Sequence, residues 1–223
     1  MVKNIDNIKN EFHKIKSVLK TGDIFLAHGD SLISHLIEKL TWSEWSHSGM
    51  IIRAEDLGLE NLKGENLKGE LLLWESTRST DLPDILTGNY KKHPKHPGGT
   101  FLVRLEDRIF SDLIHKEDYP FAFRILETER TTKMYNIIKE VIFQHQNAYF
   151  PDDIKFVETF LKGKLKNQPP DNYDFFFCSE LIAFTFQKIG LMPTNRVPNS
   201  YEPKDYSNIF RNPTYLGREI VLS

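Results

Sequence analysis

Two short apolar segments on either side of a polar repeat constrain the architecture of this chain more than any other feature. The segments, HSGMIIRA and GELLLWEST, have the length and composition of β-strands. The stretch between them, ENLKGENLKGE, is a tandem copy of five residues, and its polar and glycine residues are typical of a loop. We therefore predict an antiparallel hairpin whose connection contains the repeat and carries no chemistry.

Other segments predict further strands and helices. TGDIFLAHG, GGTFLVRLED and YLGREIVLS are typical of strands. Apolar residues at helical spacing predict helices in DSLISHLIEKL, ERTTKMYNIIKEVIFQHQ, DDIKFVETFLKGKL and CSELIAFTFQKIG. Strands cluster early and helices surround them without regular alternation, so we predict an α+β fold with a mainly antiparallel sheet packed against helices.

The first 20 residues predict an amphipathic helix. Lysines separate apolar side chains at helical spacing, which are Ile5, Ile8, Phe12, Ile15 and Leu19. We expect this helix to pack on the body of the protein. Its basic, amphipathic character also fits a peripheral membrane contact.

The size and charge of the chain exclude several classes of protein. A chain of 223 residues with 39% hydrophobic content can bury one substantial core, so we predict one domain, 1–223. The 29 basic and 31 acidic residues nearly cancel, which gives no electrostatic case for a nucleic-acid partner.

The single cysteine and the absence of a long apolar run bear on location. One cysteine cannot form an intramolecular disulfide, and MVKNIDNIKNEF lacks the apolar core of a secretory signal. No stretch has the length needed to cross a bilayer. We therefore expect a cytoplasmic protein without a transmembrane segment.

Cys178 lies in FFFCSELIAF, where it opens a predicted helix. A lone cysteine among phenylalanines is most simply a small buried hydrophobe. A helix N-terminus, however, lowers a thiol pKa through its free N–H groups and the positive end of the helix dipole. The same N–H groups can hold the oxyanion that forms when a thiolate attacks a carbonyl. Cys178 is therefore our candidate nucleophile.

A reactive thiolate needs a base, and a base histidine usually needs a third group to orient it. His47 precedes a strand between small residues, and Glu75 lies on the strand that would pair with it, so we predict a Cys178, His47 and Glu75 triad. His28 fits less well. His93 and His96 lie in a proline-rich loop and are weak evidence for a metal, so we predict no metal and no cofactor.

Four of these segments resemble a known family. GDIFL, WSHSGMII, WEST and FCSELIAFTFQKIGLMP are similar to NlpC-type papain-like cysteine peptidases and amidases, in the circularly permuted branch related to lecithin retinol acyltransferase. The resemblance covers 22–75 and 173–203, and leaves 104–172 as an unmatched, insertion-like helical region. It implies a permuted papain-like fold in which the cysteine helix follows the sheet.

The resemblance also implies roles for individual residues. Cys178 would be the nucleophile, His47 the base and then the acid, and Glu75 the residue that orients His47. Two positions depart from the unpermuted peptidases, which commonly have aspartate where Phe177 stands and glycine where Glu180 stands.

Three further residues are candidates for substrate binding. Tyr173 would line the cleft or assist the oxyanion, and Ser179 follows the nucleophile. Arg78 would pair with a substrate carboxylate, although a solvated arginine at a strand end is the simpler interpretation.

We therefore predict a cysteine hydrolase, a papain-like peptidase or amidase, that cleaves an amide or isopeptide of the cell-wall peptide type through an acyl-enzyme. Two alternatives stay open. One is a lipid acyl hydrolase or acyltransferase, and the other is a peptide- or lipid-binding module without catalysis.

Overall fold

A computed structural model gives the structure of the chain and describes residues 5–28, 45–78, 80–90, 98–115, 120–208 and 215–222. The predicted helix DSLISHLIEKL and the pair His93 and His96 lie outside the described residues. The helices in the described part are α1 (Ile5–Lys16), α2 (Leu105–His115), α3 (Thr132–His145), α4 (Asp153–Lys166) and α5 (Cys178–Lys188). None of them is long and apolar enough to cross a membrane.

The strands of the main sheet are β1 (Ile24–Ala27), β2 (His47–Arg53), β5 (Leu71–Thr77), β6 (Gly99–Arg104), β7 (Phe121–Leu126) and β8 (Leu216–Leu222). Among the described residues, these six strands form one antiparallel sheet in the order β6, β5, β2, β1, β7, β8. The prediction of an α+β fold with a mainly antiparallel sheet is confirmed.

The predicted hairpin is formed by β2 and β5, which pair with Gly49 opposite Glu75. The repeat between them folds into a second, two-stranded hairpin of β3 (Asn61–Leu62) and β4 (Glu65–Asn66). Its two turn residues, Lys63 and Gly64, have φ of 52° and 83°. Positive φ at both positions is the geometry of a tight two-residue turn, which favours glycine.

The two faces of the six-stranded sheet pack against different sets of helices. Met50 and Trp74 share one hydrophobic cluster with side chains of α3 and α5. Ile51 and Leu73 share the other with side chains of α1 and α2. Alternate residues of a strand point to opposite faces, so β2 and β5 contribute to both clusters.

Two helices, α3 and α4, begin where the sequence places capping residues. Thr131 caps α3 by accepting from the Met134 N–H at 3.2 Å, and Asp152 caps α4 by accepting from the Lys155 N–H at 2.8 Å. Gly190 follows the end of α5 with φ of 79°, as expected of a glycine at a helix C-terminus.

The N-terminal helix packs on the body, as expected. Ile8 and Phe12 of α1 are buried in the cluster that also contains Phe123. The helix ends at Lys16, so Leu19 lies beyond it, although Leu19 is buried as well.

The description of 104–172 as a helical region is wrong at Phe121–Leu126. That segment is β7, which lies inside the sheet between β1 and β8. Arg124 interrupts its apolar pattern, and the structure buries this arginine by pairing its guanidinium with the carbonyl oxygens of Tyr206 and Leu216. Likewise, GGTFLVRLED is a strand only as far as Arg104, because Leu105 begins α2.

Candidate active site

The β2 and β5 hairpin brings His47 and Glu75 together. Glu75 lies directly opposite Gly49, and His47 is two residues before Gly49 on the same strand. Diagonal neighbours on one face of an antiparallel pair are within reach of long side chains. His47 Nε2 accordingly donates to Oε2 of Glu75 at 2.5 Å.

Gly49 leaves the space that this approach requires. A Cβ atom at position 49 would lie 2.7 Å from Cδ1 of Leu73 and 3.3 Å from Cβ of Glu75. The glycine in the HSG sequence therefore has a packing role beneath the orienting carboxylate.

Glu75 is fully buried and has a second partner, Arg108. Arg108 Nε on α2 donates to Oε1 of Glu75 at 2.9 Å. Burial alone would raise the pKa of this carboxyl, but the charge of Arg108 and the hydrogen bond and charge of His47 outweigh it. Together they lower the Glu75 pKa to about 2. Glu75 is therefore a carboxylate at neutral pH.

Cys178 is the first residue of α5. This helix packs on the sheet face opposite the one that packs against α2, and Cys178 reaches the beginning of β2 from there. Its Sγ lies 3.9 Å from the carbonyl oxygen of Ser46, and the backbone N–H groups of Ser48 and Ser179 donate to it. The side chain also hydrogen-bonds to the ring of His47. Since Nε2 of His47 faces Glu75, the nitrogen left for the sulfur is Nδ1.

The contact between Cys178 and His47 changes the pKa of both groups. Burial opposes the charge on each of them, but their mutual hydrogen bond and attraction, with help from Glu75, raise the His47 pKa to about 9. The same attraction and the N–H groups of Ser48 and Ser179 lower the Cys178 pKa below its ordinary value. The arrangement favours a thiolate beside an imidazolium, and Cys178 keeps 6% of its surface exposed.

Glu180, two residues after Cys178, is a second buried carboxyl in this region. Its Oε2 accepts from the Phe177 N–H at 3.3 Å, while Oε1 is buried with no hydrogen-bond partner in the described part of the chain. Burial, reinforced by the neighbouring Cys178, raises the Glu180 pKa to about 8. Glu180 is therefore mostly a neutral acid at pH 7.

The three residues assigned to substrate binding lie in different surroundings. Ser179 Oγ is buried and donates to the Tyr201 carbonyl at 2.8 Å, so only its backbone N–H is directed at the sulfur. Tyr173 is half-buried and packs against the rings of His145, Phe176 and Phe184.

Arg78 directly follows β5 and pairs with the first residue of α4. Its Nη2 pairs with Oδ1 of Asp153 at 2.5 Å, and both side chains are exposed. This contact agrees with the simpler interpretation of Arg78, a solvated arginine at a strand end. Its assignment to substrate binding stays a prediction.

The structure adds Arg108 to the site, a residue that the sequence did not indicate. It lies 33 positions from Glu75 and on a different element, and no motif links the two. In the described part of the chain, no group of three histidine, cysteine or acidic side chains could hold a metal ion.

Comparisons with known proteins give distant structural similarity. No protein-family model and no curated protein matches the chain. Among solved structures, it is similar to the metalloprotein yiiX from Escherichia coli O157:H7 (DUF1105). The identity is 15%, the match covers 78% of this chain and 67% of that chain, and the TM-score is 0.48. A similarity at this level leaves function to be argued from the site.

Proposed function

We propose that this protein is a cysteine-dependent hydrolase that cleaves an amide or isopeptide bond through Cys178, His47 and Glu75. The observation that carries the proposal is the unbroken chain of contacts from thiol to carboxylate. Cys178 hydrogen-bonds to His47, and His47 Nε2 lies 2.5 Å from Oε2 of Glu75. A nucleophile, a base and a group that orients the base form the recurring arrangement of covalent catalysis.

In the first half-reaction, the Cys178 thiolate attacks the carbonyl carbon and a tetrahedral intermediate forms. The carbon–nitrogen bond then breaks, and the His47 imidazolium gives its proton to the leaving nitrogen. The product is a thioester between Cys178 and the acyl group. The backbone N–H groups of Ser179 in α5 and Ser48 in β2 support the oxyanion, since both already donate to the sulfur.

In the second half-reaction, neutral His47 takes a proton from water as the water attacks the thioester carbon. The carbon–sulfur bond breaks, the carboxylic acid leaves, and the thiolate and imidazolium are restored. Glu75 keeps Nε2 of His47 protonated throughout, which reserves Nδ1 for proton transfer.

We propose further that the fold is a circularly permuted papain-like one. The order His47, Glu75, Cys178 supports it, because the strands with the histidine and the carboxylate precede the helix with the nucleophile. The resemblance of the segments around these residues to NlpC-type enzymes points the same way. We propose an amide of the cell-wall peptide type as substrate on that resemblance.

Intact-mass spectrometry of the full chain tests the activity. The protein would be incubated separately with muropeptides, acylated amino acids and acyl-lipids. We expect a mass increase equal to one acyl group, or turnover, with one of the amide pools and neither in Cys178→Ala. An adduct confined to acyl-lipids would overturn the amide assignment and favour the lipid acyl alternative. No adduct and no turnover with any pool would favour a binding module.

A further inference from the structure

Helix α4 exposes a continuous apolar stripe to solvent. The exposed fractions are 83% for Ile154, 37% for Val157, 43% for Leu161 and 75% for Leu165. These four side chains recur at intervals of three and four residues, so they line one side of the helix from end to end. In the described part of the chain, nine large hydrophobic side chains are exposed, and this 14-residue helix carries four of them.

The stripe is not the face by which α4 packs on the protein. Phe156, Thr159 and Gly163 lie on the opposite side and are buried. A Cβ at position 163 would come within 2.7 Å of Asn199, so the helix lies close against the body there. The helix is therefore anchored by its inner face, and the outer stripe stays exposed in the part of the chain that the structure describes.

Lysines flank the stripe on both sides. At 100° per residue, Lys155, Lys162 and Lys166 project to one side of it and Lys164 to the other. The helix contains two acids, Asp153 and Glu158, against these four lysines. Lys162 and Lys164 also pair with Asp171 and Glu202, at 2.6 and 2.8 Å. An apolar strip bordered by lysines is typical of a helix that lies in the headgroup region of a membrane.

The size of the stripe argues against a protein partner. A stable protein interface takes about 800 Å² and roughly 20–30 residues on each side. The stripe offers four aliphatic side chains along a helix about 21 Å long. The interfacial region of a lipid bilayer, by contrast, can bind a narrow apolar stripe, because the lipids rearrange around each inserted side chain.

We propose that α4 docks this protein on the surface of a lipid bilayer that contains anionic headgroups. Ile154, Val157, Leu161 and Leu165 enter the acyl boundary, and the flanking lysines bind the headgroups. The inner face of α4 contacts Phe177, the residue before Cys178, with ring centroids 5.0 Å apart for Phe156 and 6.3 Å for Phe160. Docking would therefore hold the start of α5 near the lipid surface. This surface goes beyond the proposed catalysis and does not depend on it.

Co-sedimentation of the full chain with vesicles tests the surface. One set contains phosphatidylcholine and phosphatidylglycerol at a ratio of about 7:3, and the other contains phosphatidylcholine alone. We expect partition onto the anionic vesicles that weakens as salt screens the lysines. For the Ile154→Gln/Leu165→Gln variant, the vesicle partition coefficient should fall roughly tenfold or more. Each substitution removes the favourable transfer of an aliphatic side chain from water into the membrane.

Two controls distinguish docking through α4 from nonspecific hydrophobic binding and from catalytic activity. Val18→Gln/Val221→Gln removes two other exposed apolar side chains and should bind vesicles as the wild type does. Cys178→Ala should also bind normally, so loss of activity and loss of docking are distinguishable. All substituted α4 positions are exposed, and unchanged thermal unfolding would show that the variants fold.

Three results would overturn the proposal. They are failure of the wild-type protein to bind either vesicle set, equal binding by the α4 variant, and equal binding to both vesicle sets. Self-association of the wild type that the α4 variant abolishes, measured by sedimentation velocity without lipid, would assign the stripe to a second copy of the chain.

Discussion

Arg108 Nε donates to Oε1 of Glu75 at 2.9 Å, on the carboxylate oxygen that His47 does not use. The orienting carboxylate therefore has one cation on each oxygen when His47 is protonated. Because Glu75 is fully buried, it depends on these partners to remain charged.

Replacing Arg108 should destabilise the protein in a pH-dependent way. Arg108→Gln leaves a buried carboxylate with one partner, so we expect a loss of about 3 kcal/mol at pH 7. The wild-type Glu75 pKa is about 2 and the unfolded value about 4.5, so its stabilisation is present above pH 4.5 and lost as pH falls toward 2. Urea unfolding at several pH values should show the largest difference above pH 5.

Arg104→Gln is the matched control for Arg108→Gln. It breaks an exposed ion pair with Glu65, so its cost should stay within about 1 kcal/mol. Equal losses in the two variants, or a loss from Arg108→Gln that is independent of pH, would contradict this role for Arg108.

Cys178 should react with iodoacetamide at neutral pH. Its pKa is lowered by His47 against the effect of burial, so a thiolate persists below the ordinary thiol range. In His47→Gln the imidazolium is gone and burial dominates, so the reaction should begin only above a pH of about 8.5. The measurement is the rate of carboxamidomethylation against pH. Superimposable profiles for the two proteins would rule out the ion pair.

Glu180→Gln should stabilise the protein as pH rises. The folded pKa of Glu180 is about 8 and the unfolded value about 4.5, so the folded state holds a proton that the unfolded state releases between these values. Wild-type stability therefore falls with pH across that window, by on the order of 3 kcal/mol at pH 7. The glutamine side chain is neutral at every pH in this window, so the stability of the variant does not fall in this way.

Thermal unfolding at pH 4.5, 6 and 8 checks the Glu180 prediction. The advantage of Glu180→Gln should grow from the lowest to the highest pH. A constant difference between the two proteins would show that Glu180 does not titrate in this window.

Gly49→Ala should displace Glu75 and Leu73. The new Cβ would lie 2.7 Å from Leu73 Cδ1 and 3.3 Å from Glu75 Cβ, so we expect a cost of roughly 1–3 kcal/mol and slower alkylation of Cys178. Combined with Leu73→Ala, the two losses should be less than additive, because the smaller residue removes the clash. Strict additivity would show that the contact is not the cause.

Local sequence patterns predicted much of the fold and the three side chains of the candidate site. Periodicities of two and of about 3.6 residues identify the β2 and β5 hairpin and the helix that begins at Cys178, because backbone geometry and side-chain burial are coupled over a few residues. His47 lies in the HSG sequence beside one strand, and Glu75 lies on the strand after the repeat. These two positions suffice to predict that the two side chains lie close together.

Only the tertiary structure decided the features that depend on distant partners. β7 was not predicted because an arginine such as Arg124 is typical of an exposed position. Its burial depends on hydrogen bonds to the carbonyl oxygens of Tyr206 and Leu216, which are distant in the sequence. Arg108 joins the site because α2 packs on β5, a contact that no local spacing encodes. In α4, apolar residues occur on both sides of the helix, and packing against Phe177 determines that Phe156 is buried while Ile154 is exposed. Long-range contacts depend on how whole elements pack, and a single sequence contains that information only indirectly.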